Sequence, residues 1–288
     1  MTRPLEFTKM QGVGNDFVLI DGRHYPEEDW EAVAVTLCAR RTGVGADGLL
    51  VLEETEQADI RMRMFNPDGS PDVCGNGLRC VVRYAVERGI IAQDRLQVMT
   101  LAGVRSAQVN RDSLGQIHTV TVGMGQPWFE PACIPMYVHQ ERVLNFPLKL
   151  SSEATLPITA LSTGSTHAVT FVEVLPDDAL FFSVSPLVEN HPLFPDRTSL
   201  MWCVVESPTR LRIRIWERGA GETWGCGTGA CAAAVAAILH GYSPANTPIT
   251  IASRGGELQI QWQPGDSIAM TGPAAVVFEG RKIHEFHE

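Results

Sequence analysis

Two stretches of this chain, offset by about 151 residues, read as versions of one another, and no other feature restricts the fold as strongly. The first runs Arg61-Met-Arg63-Met-Phe65-Asn66-Pro-Asp-Gly69 and leads into Cys74-Gly-Asn-Gly77, Cys80 and a helical pattern. The second runs Arg212-Ile-Arg214-Ile-Trp216-Glu217-Arg218-Gly219 and leads into Cys226-Gly-Thr-Gly229, Cys231 and a helical pattern. Upstream, Gly14-Asn15-Asp16-Phe17-Val18 has a weaker echo in Gly164-Ser165-Thr166-His167-Ala168-Val169, so register holds over about sixty residues. A chain of 288 residues has room for two domains of roughly 140 residues. Duplication therefore predicts two similar halves, residues 1–127 completed by residues 275–288, and residues 128–274.

Turn-bounded β-branched or alternating runs predict strands at residues 17–20, 49–52, 60–65, 119–122, 169–174, 202–205 and 211–216. Helical patterns are fewer, at residues 29–40, 77–88 and 229–240, the last followed by Gly241. This is an α+β pattern rather than a series of βαβ units.

With 44% hydrophobic and 19% charged residues, the chain has enough apolar surface to build a packed core. A formal charge of −10 argues against sequence-independent binding to nucleic acid, which needs a cationic face to displace counterions. Apolar runs such as residues 230–239 fall short of the roughly 18 to 20 residues that cross a bilayer. Lys9 and Asp16 interrupt any early signal core, so no membrane attachment and a cytoplasmic location are expected. Seven cysteines in so long a chain are too few and too odd in number for a disulfide scaffold. Free thiols are the expectation. The three lysines, Lys9, Lys149 and Lys282, have no glycine-rich setting of the kind that anchors pyridoxal phosphate.

Cys38, Cys133 and Cys203 read as small buried packing residues, as do Cys80 and Cys231 inside their helices. Cys74 and Cys226 have a different context, because each precedes Gly-x-Gly at a helix start. A thiol there feels the positive end of the helix dipole and unpaired backbone amides, which stabilise the thiolate. The glycines let the backbone approach a ligand, and the amides of Gly75, Asn76, Gly227 and Thr228 can bind a carboxylate. One thiolate and one thiol acting on opposite faces of one carbon is what inversion of a stereocentre needs. A zinc site is disfavoured, since Cys74 with Cys80 and Cys226 with Cys231 are spaced outside or at the loose end of zinc patterns.

Lys9-Met-Gln-Gly-Val-Gly-Asn15-Asp-Phe, Gly43-Val-Gly-Ala-Asp47-Gly48, Phe65-Asn66-Pro-Asp-Gly69, Cys74-Gly-Asn-Gly, Asn190-His-Pro-Leu-Phe-Pro and Trp216-Glu-Arg-Gly-Ala-Gly-Glu-Thr-Trp-Gly-Cys226-Gly-Thr-Gly-Ala stand in this order along nearly the whole chain. Together they resemble the diaminopimelate epimerase family. The resemblance implies two pseudo-symmetric halves, each a mainly antiparallel sheet wrapped around a central helix, with an active-site cleft between them. It also implies a cofactor-independent, metal-free enzyme that acts on a small amino-acid substrate, LL-diaminopimelate, to give the meso form in lysine and cell-wall precursor synthesis. A homodimer is an expectation carried by the resemblance alone.

Carried over position by position, Cys74 and Cys226 resemble the acid/base pair, and Gly75, Asn76, Gly227 and Thr228 the cradle for the reacting end. Asn15 and Asn66 resemble substrate ligands. Glu217 and Arg218 resemble the pair that contacts substrate and supports proton transfer, and His167 the histidine beside the thiols. An arginine can hold a distal carboxylate bidentately. Two positions depart from the family pattern, with Ser165 and Ser199 standing where asparagine ligands are typical. The serines leave open a related racemase of another amino acid, such as histidine, lysine or ornithine, with the same two thiols. A redox-sensing binding protein with a reversible Cys74–Cys226 disulfide is a third reading.

Overall fold

In a computed structural model, residues 4–282 are described, and they fall into two compact units. Unit 1 comprises residues 4–122 and 272–282, and unit 2 comprises residues 123–271.

Unit 1 begins with a hairpin of β1 (Leu5–Gly12) and β2 (Asn15–Asp21), followed by α1 (Trp30–Cys38), β3 (Gly48–Glu53) and β4 (Ile60–Phe65). The short β5 (Pro71–Asp72), α2 (Gly75–Glu87), β6 (Arg95–Thr100), β7 (Gly103–Arg111) and β8 (Ile117–Gly123) follow. The chain returns at its end as β18 (Ala275–Lys282), which pairs antiparallel with β1. The connection through α1 makes β2 and β3 parallel, and the one through α2 makes β4 and β6 parallel. The other pairs described in this unit are antiparallel.

Unit 2 repeats this plan element for element. Its strands are β9 (Val143–Lys149), β10 (Thr155–Ser162), β11 (Thr166–Phe171), β12 (Ser199–Ser207), β13 (Arg210–Glu217), β14 (Gly221–Thr223), β15 (Ile249–Ser253), β16 (Gly256–Gln261) and β17 (Ala269–Gly272). Its helices are α3 (Asp178–Glu189) and α4 (Gly227–Leu239). Again the strands flanking each helix are parallel, β11 with β12 and β13 with β15. The registers coincide as well. Phe17 faces Gly48 and Leu49 faces Phe65 in unit 1, while His167 faces Ser199 and Leu200 faces Trp216 in unit 2. The duplication read from sequence is thus a pseudo-symmetric α+β fold, with β9 in unit 2 filling the place that β18 fills in unit 1.

Each sheet curls around one helix. Helix α2 packs against β1, β2, β3, β4 and β7, and α4 against β10, β11, β12, β13, β15 and β16. Residues 229–237 of α4 are buried all round and consist of small side chains with one valine, which lets the sheet close tightly on every face. Arg79 of α2 is fully buried, donating from Nε to Pro273 O at 3.2 Å, and Arg83 donates from Nη1 to Ala274 O at 2.6 Å. These two bonds tie the returning C-terminal segment to the central helix of its unit. None of the helices among the described residues is long and apolar enough to cross a membrane.

The strand expected at residues 169–174 is β11 and ends at Phe171, and three further local readings need correction. Helices α2 and α4 begin at Gly75 and Gly227, two residues before the predicted starts, because the cysteines themselves are the caps. Helix α3 was not predicted. Its Leu180-Phe-Phe-Ser-Val-Ser run carries strand-like residues, and Pro186 inside the helix reads as a breaker. It forms because Asp177 caps its N-terminus, accepting from Leu180 N at 2.9 Å, and because Phe181, Ser185 and Val188 bury one face. Finally, Cys133 is exposed rather than packed. It lies in a turn after Glu130, where the adjacent Ile134 takes the buried position.

Candidate active site

Cys74 occupies the N-cap of α2 with extended backbone (φ −145°, ψ 114°), and its Sγ accepts from Gly77 N at 3.4 Å. Cys226 does the same at α4 (φ −125°, ψ 111°), accepting from Gly229 N at 3.3 Å. Sulfur here takes the part usually played by a serine or aspartate oxygen, with the helix dipole and open amides behind it. Cys74 is half-buried and Cys226 buried. The other helix and strand thiols are different in kind. Burial pushes Cys38 up to about 11 and Cys80 and Cys203 up to about 12, so these stay protonated and inert.

Around Cys74, Asn15 at the start of β2 accepts on Oδ1 from Asn76 Nδ2 at 3.2 Å and from the Cys74 thiol at 3.6 Å. Its amide orientation is fixed from behind, since Nδ2 donates to Asp47 Oδ2 at 2.7 Å. Asp47 also accepts from Asp16 N at 3.0 Å and from Arg40 at 2.6 Å. Asp16 in turn pairs with Lys9 at 2.5 Å and with Arg40 at 2.8 Å. Burial opposes the Asp16 charge, but Arg40 and Lys9 outweigh it and hold the carboxyl below the ordinary range. Asn76 is buried, and its Oδ1 has no partner among the described residues. Asn66, at the end of β4, bonds within its own hairpin, from Nδ2 to Ser70 Oγ and Asp72 Oδ2, both at 3.2 Å.

In unit 2, Cys226 Sγ lies 3.4 Å from Thr228 Oγ1, and Thr228 O accepts from Thr163 Oγ1 at 2.8 Å. That bond brings the turn bearing the half-buried Ser165 onto the N-terminus of α4. Ser199 is buried, and its Oγ accepts from the backbone N of Arg218 at 3.1 Å. Arg218 is exposed and donates from Nη1 to Asp196 O at 2.9 Å, while Glu217 accepts from Thr223 Oγ1 at 2.5 Å. The repeat thus carries Asn15 and Asn66 of unit 1 into Ser165 and Glu217 of unit 2. Gly75 and Gly227 form the first turns of their helices. Nothing in the sequence pattern singles out the supporting groups Asp47, Thr163, Asp196 and Thr223, although Asp47 and Thr223 stand inside conspicuous motifs and Asp196 directly follows one.

His167 is 1% exposed, and neither ring nitrogen has a hydrogen-bond partner among the described residues. Burial, reinforced by the Arg218 charge, pushes its pKa from 6.5 down to about 3, so the imidazole is neutral at physiological pH. The unfolded chain then binds a proton that the folded chain does not. Stability therefore declines as pH falls from 6.5 toward 3, by at most about 1.4 kcal/mol per pH unit from this group. Phenylalanine, the residue at the equivalent Phe17, is expected at position 167 to flatten that slope. Urea denaturation of both proteins from pH 6.5 to 4.5 checks it, and equal slopes would refute the assignment.

The sequence model of the family described as Diaminopimelate epimerase matches residues 7–130 and 159–277. Diaminopimelate epimerase of Pelotomaculum thermopropionicum is 45% identical over 279 residues, covering 96% of this chain and 98% of the relative. That of Desulforudis audaxviator is 46% identical over 284 residues, covering 97% and 99%. Among solved structures, a PhzF-family phenazine biosynthesis protein of Bacillus anthracis superposes with a TM-score of 0.70 at 18% identity, covering 98% of this chain and all of that one. A probable proline racemase from Agrobacterium radiobacter gives 0.71 at 16%, covering 98% and 93%. These two likenesses are of fold. The identities near 45% over whole chains, together with two equivalent cysteine-capped helices, establish that the chain belongs to the diaminopimelate epimerase family.

Proposed function

We propose that this isomerase inverts a Cα stereocentre of LL-diaminopimelate to give the meso form, with Cys74 and Cys226 as its two acid/base groups. The observation that carries the reading is that the repeat places a thiol at the same capping position of both central helices. One thiolate takes the α-proton. The electron pair left on Cα delocalises into the adjacent carboxylate, where the amides of Gly75, Asn76, Gly227 and Thr228 stabilise the added charge. The other thiol then gives its proton to the opposite face. Atoms and charge balance within the pair, because the thiol and thiolate have exchanged roles and the substrate has gained the proton it lost. The reading requires both thiols to act on one Cα.

Arg218 and Glu217 offer a cation and an anion to the distal amino-acid head, with Asn15, Asn66, Ser165 and Ser199 as neutral ligands. His167, neutral and with no hydrogen-bond partner among the described residues, is a donor or acceptor beside this chemistry that adds no charge. The alternatives open from sequence, a racemase of another amino acid and a redox-sensing binding protein, are not favoured by relatives that share one name at 41–46% identity. Ser199 also has a place in this fold without asparagine, since its hydroxyl holds the Arg218 backbone. The same reading puts the enzyme in the reducing cytoplasm as a homodimer, which sedimentation would check.

Deuterium incorporation at Cα in D2O under reducing conditions, without added cofactor, tests the substrate. LL-diaminopimelate is expected to exchange and invert, and histidine, lysine, ornithine and glutamate to remain unlabelled. Exchange confined to one of the other four would reassign the substrate and make Ser165→Asn and Ser199→Asn the first reversions.

A further inference from the structure

Glu189, the last residue of α3, is a buried carboxylate that none of the proposed chemistry uses. Its Oε1 accepts from Gly219 N at 2.8 Å and from Arg197 Nη1 at 3.1 Å, and its Oε2 accepts from Trp216 Nε1 at 2.6 Å. Trp216 and Gly219 bracket Glu217 and Arg218. One side chain therefore grips the loop on both sides of the two residues read as binding the distal head.

Other bonds converge on the same segment. Ser199 Oγ takes the Arg218 N–H, and Asp196 O takes its guanidinium. Glu189 O accepts from Thr198 N at 3.1 Å, next to Arg197, whose backbone is left-handed at φ +60°. An arginine in that conformation is uncommon, and its ion pair with Glu189 helps to hold it. A long side chain such as Arg218 places its guanidinium only as well as its backbone origin is held, because rotamer freedom of several ångströms adds to any movement of that origin. A buried carboxylate accepting three donors, one of them charged, is a stiff anchor for that origin.

We infer that Glu189 is a positioning residue, setting where Arg218 stands and so which substrate length and distal head the site accepts. The inference rests on the functional reading above. It predicts that Glu189 and Arg218 act as one unit on substrate affinity. Glu189→Gln keeps the shape but turns one acceptor oxygen into an NH2, which confronts the Trp216 or the Gly219 donor. It is expected to raise KM for LL-diaminopimelate on the order of 30-fold while kcat falls less than about threefold. Arg218→Met is expected to lower kcat/KM on the order of 100-fold.

The deciding measurement is the double variant. If Glu189 acts through Arg218, the double variant falls within about threefold of Arg218→Met alone. Losses that multiply, or a Glu189→Gln effect confined to kcat, would overturn the inference, because a residue that only supports the fold acts independently of Arg218. Should Glu189→Gln fail to fold, Trp216→Phe removes one of the three donors and the cycle is read by the same criterion. Turnover of LL-diaminopimelate by the unaltered enzyme tests the functional reading separately. If another amino acid with a charged distal group proves to be the substrate, the cycle is run on that one.

Discussion

Alanine at Cys74 or at Cys226 is expected to lower kcat/KM for inversion on the order of 10⁴-fold while the protein stays folded. On the proposed two-thiol mechanism each substitution removes a group that gives or takes a proton in the transition state, and no neighbouring thiol is placed to replace it. Cys80, one turn into α2, is fully buried with its pKa pushed up to about 12, and Cys231 is equally buried in α4. The cost to the fold is small by comparison. Losing a capping acceptor is worth about 1 kcal/mol, a shift of a few degrees in Tm for a protein of this size.

The isotope pattern separates a two-base mechanism from a one-base one. With Cys226→Ala, Cys74 can still remove a proton from the face it reaches and return deuterium to that same face. Slow labelling without inversion is the expected residue of activity, and it should appear from one stereoisomer with one variant and from the other stereoisomer with the other. The exposed Cys133 provides the control, since Cys133→Ala is expected to keep full activity. Inversion at more than a few per cent of the original rate in either alanine variant would overturn the two-thiol mechanism.

How far the sequence discloses this site depends on the range of the interactions that build it. That each cysteine stands near a helix start was legible because the signal is local: the sulfur and the amide that donates to it are three residues apart, and the flanking glycines mark the close approach, although the capping itself puts each helix start two residues earlier than the pattern suggests. The duplication was legible for a related reason, as strand, loop, Cys-Gly-x-Gly and helix recur in fixed order. Helix α3 was hidden because local propensity pointed elsewhere. Its stability comes from burying Phe181 against Trp216 and the β12 core, and from Trp202 Nε1 donating to Ser185 Oγ at 3.0 Å. Glu189 and Asp47 were hidden for a different reason. A carboxylate with partners 27 and 30 residues away, or 32 in the case of Asp47 and Asn15, has no periodic signature. Only the fold brings these donors together.

Replacing Gly229 by alanine is expected to cost more activity than the same change at its counterpart Gly77, although both glycines donate an N–H to a capping sulfur. A Cβ at 229 would stand 2.6 Å from Met201 Sδ, 2.8 Å from Met201 Cε and 3.2 Å from Cys226 Sγ. Met201 is fully buried, so it has little room to retreat, and the sulfur must give by a few tenths of an ångström. At 77 the new methyl would meet Leu50 Cδ2 at 2.7 Å but only Cys74 Cβ, at 3.5 Å, on the cysteine. Overpacking costs about 1 to 3 kcal/mol at either site, offset by up to about 1 kcal/mol from exchanging glycine for alanine in a helix. The two variants should therefore melt a few degrees below the parent and close to one another. Their catalysis should diverge. Displacing a reacting atom by a fraction of an ångström to an ångström costs up to about 100-fold, so kcat is expected to fall by on the order of 10- to 100-fold in Gly229→Ala and by several-fold in Gly77→Ala. Steady-state rates in both directions beside melting curves decide the matter. Equal losses in kcat at equal Tm would mean that the position of the Cys226 sulfur is not what the glycine protects.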